Sequence, residues 1–162
     1  MMFAQEKNED FPLFRHDYQP VLPLYYIEEP GIPSGCDYYF NTSSGLKYEV
    51  LFAKKKDNYL CNIINFSVLN EEFDDEYSET NRGELYRVIA TVAEIIRIYH
   101  ERHSYSTRYE FSGEFKDQNE HGQASKRSML FYNKGFKILH PAWKIILHEN
   151  RVVVFRKNHL YE

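Results

Sequence analysis

Between Asn81 and Glu101, the residues Leu85, Val88, Ile89, Val92, Ile96 and Tyr99 recur at spacings of three and four. That period marks one face of an α-helix of about five turns, and so one-sided a helix has to lie on an apolar surface. Ile95 and Ile98 widen the stripe, so burial on more than one side is expected. Asn81 is placed to cap the helix, and Glu84, three residues on, completes a capping box. Arg97, Arg102 and His103 gather toward the far end, where cations suit the helix dipole.

The surface under that helix is predicted to be a sheet. Tyr48 to Phe52 and Tyr59 to Val68 are rich in aromatic and β-branched residues and flank the polar run Lys54-Lys55-Lys56-Asp57-Asn58, the pattern of a β-hairpin. In the second strand Leu60, Asn62, Ile64 and Phe66 share one face, and Cys61, Ile63, Asn65 and Ser67 the other. Thr107 to Ser112 reads as a strand, and Ser125 as the cap of a short helix through Lys134. Gly135 then reads as the helix stop, a position that favours positive φ, with Phe136 to Leu139 extended beyond it. Lys144 to His148 and Val152 to Arg156 form a last hairpin. The order predicts an α+β fold: a single mixed, mostly antiparallel sheet with two main helices packed on it. Residues 1–45 hold five of the six prolines and predict an irregular Pro/Tyr-rich extension packed on a domain of residues 46–162. Within it Leu24 to Ile27 and Tyr38 to Phe40 read as edge strands or covering loops.

Composition narrows the function classes. A chain of 162 residues suits one domain. Its 14 Tyr, 12 Phe and one Trp can build a large core from few aliphatic residues. The formal charge of −4 argues against nonspecific nucleic-acid binding, and Lys54 to Lys56 read as a solvated turn. Cys36 and Cys61 have neither disulfide-framework nor zinc spacing, and His100 and His103 lack the HExxH arrangement, so no metal is expected. The acidic start MMFAQEKNEDFPLF is unlike a signal peptide, and no apolar run approaches the roughly 18 residues of a membrane helix. A cytoplasmic protein without membrane contact is the expectation.

One stretch carries a resemblance. In Ser128 to Lys137, Leu130 and Tyr132 precede Gly135-Phe136, and this resembles the last motif of the GNAT acyltransferase superfamily. There, an aliphatic residue and a tyrosine on the final helix come before a Gly-Phe pair. The likeness covers about Lys47 to Lys157. A looser one, through Val88 to Val92 and Arg127-Ser128 with Tyr132, is to small bacterial and phage proteins that look like reduced forms of the same fold. The resemblance implies acetyl-CoA as cofactor and a small-molecule or peptide amine as acyl acceptor. Tyr132 would be the general acid, and Glu110, in the preceding strand, would relay a proton from the amine. It also implies a pyrophosphate site at the start of the long helix, where Asn81, Arg82 and Gly83 stand.

The same residues have plainer readings. The superfamily's loop carries a second glycine that Ser78 to Leu85 lacks, and Glu79 and Glu84 put negative charge beside the presumed phosphate. Arg82-Gly83 then reads as an ordinary capped helix start, and Tyr132 as a ring packing its helix on the sheet. The alternative is a catalytically inactive protein-binding module on the same fold, pairing with itself or another protein through its aromatic surface.

Overall fold

The computed structural model describes residues 12–21, 23–69, 82–112 and 126–157. Six strands and two helices follow in the order β1 (Asp37–Asn41), β2 (Lys47–Lys55), β3 (Asn58–Val68), α1 (Arg82–Arg102), β4 (Arg108–Ser112), α2 (Lys126–Ile138), β5 (Trp143–His148) and β6 (Arg151–Arg156). The strands form one sheet in the order β1-β2-β3-β4-β6-β5. Every neighbouring pair is antiparallel except β3 and β4. A parallel pair needs a long crossover, and α1 supplies it. The fold is α+β, with a mixed sheet and two helices.

Both helices lie on one face of the sheet and touch each other. From α1, Leu85, Val88, Ile89, Val92, Ile95 and Tyr99 are buried, whereas Ile96 is only partly so. From the sheet they meet Tyr48, Val50 and Phe52 of β2, Ile64 and Phe66 of β3, Tyr109 and Phe111 of β4, and Trp143 and Ile145 of β5. The intervening residues point to the other face, where no described helix lies. No described helix is long and apolar enough to cross a membrane.

The N-terminal segment is tied to this layer at several points. Phe14 bridges Leu139, and the Trp143 indole Nε1 donates to the Pro12 carbonyl at 3.1 Å. Leu13, Phe14 and Tyr25 are core residues. Thr91 Oγ1 accepts from the Tyr25 amide, and the Arg87 guanidinium sits 3.9 Å from the Tyr25 ring centroid. Of the two aromatic patches there, Tyr38 to Phe40 lies in β1, an edge strand.

Aromatic residues hold the layers together. Tyr25 stacks on Phe40, Phe40 on Tyr48, and Tyr48 on Phe66, with centroids 5.1 to 5.8 Å apart. Phe131 of α2 then meets Phe66 edge-on at 5.5 Å and Phe111 at 4.7 Å. The row runs from the N-terminal segment across β1, β2 and β3 to β4. Edge-to-face and offset stacks of this kind each add about 0.5–1.5 kcal/mol beyond their burial.

Gly135 does not end its helix. α2 runs on to Ile138, so Phe136 to Ile138 are helical rather than extended. Among the described glycines only Gly45, in the β1–β2 turn, has a positive φ. A Cβ on Gly135 would lie 2.6 Å from Ile145 Cδ1. The glycine serves close approach of α2 to β5, and Leu139 follows as a bridge to Phe14. Gly135→Val should therefore destabilise the fold by about 1–3 kcal/mol through overpacking. Ile145→Val removes the clashing Cδ1, so a double-mutant cycle by urea unfolding should show the second change recovering part of the loss. Strictly additive losses would exclude this contact as the reason for the glycine.

Candidate functional site

The one parallel junction is also where the sheet opens. β3 and β4 are in register only over Cys61 to Ile63 and Arg108 to Glu110. Beyond that, β3 continues to Val68, while β4 stays paired with β6. In open sheets of parallel strands, ligands collect outside the carboxyl ends of strands that part. Here α2 presents Phe131 and Arg127 to that place. Phe131 lies between Phe66 on β3 and Phe111 on β4. The Arg127 guanidinium lies 4.0 Å from the Phe66 ring centroid, and its Nη1 donates to the Phe66 carbonyl at 3.0 Å. Both side chains are buried.

Tyr132 follows Phe131 and is turned about 100° around the helix axis from it. Its ring is half-buried and lines a cavity of about 620 Å³ between α2 and β5, along with Arg15, Phe136, His140 and Lys144. Glu110 is elsewhere. Tyr109 and Phe111 of β4 face the helices, so Glu110 points to the opposite side of the sheet. The acid and base expected to act on one acyl group are thus separated by the sheet.

Glu110 sits in a cage of cations. Arg108 Nε donates to its Oε2 at 2.8 Å and Arg151 Nη2 to its Oε1 at 3.0 Å. Lys55 Nζ is 3.6 Å away, and the Cys61 thiol donates at 3.7 Å. Burial by itself would raise the pKa of this carboxyl, but the Arg108 hydrogen bond and the charges of Arg151, Lys55 and Arg108 outweigh it and lower the value. A carboxylate so held stays ionised and is a weak base. The Cys61 thiol is pushed up to about 11, first by burial and next by the Glu110 charge.

The helix start is only partly described. Asn81 lies outside the described residues, and of Arg82 and Gly83 the structure gives the helical backbone. Glu84 accepts a hydrogen bond from Ser44 Oγ in the β1–β2 turn at 2.7 Å, which ties α1 to the sheet and keeps a negative charge in its first turn. The two histidines at the other end belong to the core. His100 Nδ1 lies 2.7 Å from Tyr109 Oη, and its ring packs edge-on against Trp143. His103 stacks on Tyr99 and donates from Nδ1 to the Tyr99 carbonyl. Burial lowers the His103 pKa and outweighs the Tyr99 carbonyl hydrogen bond, which raises it; the Lys54 and Arg102 charges lower it further. A polar chain missed in the sequence lies beside them: Tyr99 Oη donates to Asn62 Oδ1, and Asn62 Nδ2 to Ser106 Oγ, both at 2.8 Å.

Two outcomes follow from the Glu110 cage. Glu110→Gln should cost about 1–3 kcal/mol at pH 7, because three cations lose their counter-charge but stay partly hydrated. The folded-state pKa is lowered, so this contribution is full above the unfolded value of about 4.3 and is lost as pH falls through the folded value. The stability gap between parent and variant, read by urea denaturation, should shrink from pH 7 to pH 3; a constant gap would refute the ion-pair account. Iodoacetamide should label exposed Cys36 in the native protein and reach buried Cys61 only on unfolding, as peptide mass spectrometry would record.

Comparison with known proteins leaves the site to be read from its own geometry: no family model, no curated protein and no solved structure matches this chain.

Proposed function

We propose that this chain is a GNAT-like protein working in the cytoplasm as a protein-binding module, with no acyl transfer. The observation that carries the reading is the filling of the β3–β4 opening by Phe131 and Arg127. A phenyl ring has no proton to give a leaving thiolate. The backbone acceptor at Phe66, which an inserted extended ligand would use, is already taken by Arg127. Separation of Tyr132 from Glu110 by the sheet supports the same conclusion, as do the two free cysteines for a reducing compartment. The GNAT-like part of the reading is supported by the element order, with a hairpin, a crossover helix and a strand ahead of the Tyr132 helix.

The second reading is an acetyl-CoA-dependent N-acyltransferase acting on a small-molecule or peptide amine. One observation favours it: Tyr132 borders an open cavity. Asn81, Arg82 and Gly83 would then hold the pyrophosphate, and Tyr132 would protonate the thiolate. Isothermal titration calorimetry with acetyl-CoA separates the two. The expected result is no saturable heat, for the parent and for Tyr132→Phe alike. Saturable binding by the parent, with turnover reduced on the order of a hundredfold in Tyr132→Phe, would establish the acyltransferase instead.

A further inference from the structure

The sheet ends in two unlike edges. At one, Glu28 and Tyr39 of β1 exchange backbone hydrogen bonds of 2.8 and 3.1 Å, which closes part of that edge. At the other, β5 has no outer neighbour among the described residues. Lys157 N donates to the Ala142 carbonyl in the β5–β6 register, so the bonds to β6 run through Lys144, Ile146 and His148. The N–H and C=O groups of Ile145 and Leu147 therefore point outward, and no described residue takes them.

The surface beside this edge is apolar and cationic. The cavity between α2 and β5 is bordered by Tyr132 and Phe136, the latter 65% exposed. Arg15, His140, Lys144 and Lys157 line it, and among the described residues no carboxylate does. Lys126 to Lys157 hold eight Lys and Arg against the single acid Glu149, in a chain with 20 basic and 24 acidic residues overall. The field is felt locally: after burial, His16, Arg156 and Arg15 depress the His140 pKa, and Lys137 that of Lys134.

We propose that the β5 edge and the groove beside α2 bind an extended acidic segment of a partner protein, which joins the sheet as a further strand. The proposal rests on the binding-module reading and names its partner's chemistry. Backbone pairing with Ile145 and Leu147 supplies affinity, and alternate side chains fall on opposite faces. Apolar or aromatic residues of the segment meet Tyr132 and Phe136, while its carboxylates meet Lys144, Lys157 and Lys137. A second copy is a poor occupant, because pairing β5 with β5 brings Lys144 and two cationic α2 helices together. A lone lysine is also a common guard of unpaired edges. That device accounts for Lys144 but not for the cavity or the exposed Phe136.

The test uses the full chain against a display library of random dodecapeptides. Enriched peptides should be net negative, with apolar residues at alternate positions. Their binding, by fluorescence anisotropy, should weaken at least about tenfold in Lys137→Glu/Lys144→Glu and stay unchanged in Lys56→Glu. N-methylation of alternate peptide amides should abolish binding to the parent protein, a result independent of any variant's folding. Bound peptide should slow hydrogen exchange at the Ile145 and Leu147 amides. No enrichment, enrichment of neutral or basic peptides, indifference to N-methylation, or β5 protection by self-association or by a single-stranded oligonucleotide would each overturn the proposal. Failure here without acetyl-CoA binding would leave the module reading in place with a different surface. Saturable acetyl-CoA binding would remove that reading, whatever the peptides do.

Discussion

The row of rings from Tyr25 through Phe40, Tyr48, Phe66 and Phe131 to Phe111 is the contact on which the other layers depend. It joins the N-terminal segment, four strands and α2 through one line of packed side chains. Aliphatic residues could fill the same volume only with more of them, and this chain has few to spare. Flat rings bury a large area per backbone position, which lets a short sheet support two helices and an irregular segment together. The row also decides what α2 can do. Once Phe131 is wedged between Phe66 and Phe111, the neighbouring Tyr132 must turn toward β5.

Much of this was legible in the sequence. The stripe from Leu85 to Tyr99 gave α1, since a long 3–4 spacing has few other solutions. The hairpin of β2 and β3 followed from two strand-forming runs around a lysine turn. Alternation in Thr107 to Ser112 puts Glu110 on the face opposite Tyr109 and Phe111, so the strand pattern itself speaks against pairing Glu110 with Tyr132. The cationic character of Lys126 to Lys157 is likewise plain from a count of charges.

What stayed hidden depends on approach in space. Gly135 has the appearance of a helix stop, but its missing Cβ answers to Ile145, whose position on β5 no local pattern reveals. Whether Tyr132 or Phe131 faces the β3–β4 opening is settled by how α2 rolls on the sheet. The insertion of β6 between β4 and β5, and the one parallel pairing, are long-range choices. The cations around Glu110 come from β2, β4 and β6, so no window of sequence contains the cage.

The ties between residues 12–15 and the elements after Gly135 carry a consequence for how the chain reaches this structure. Pro12 and Trp143 are 131 positions apart, and Arg15 and Leu139 are 124 apart. Contacts between such distant residues close the largest loops the chain can make and slow its folding. During synthesis Leu13 and Phe14 emerge well before α2 and β5, whose surface receives them. These residues must wait for a surface made much later than themselves, and until then their apolar side chains lie open to chaperones and to other nascent chains.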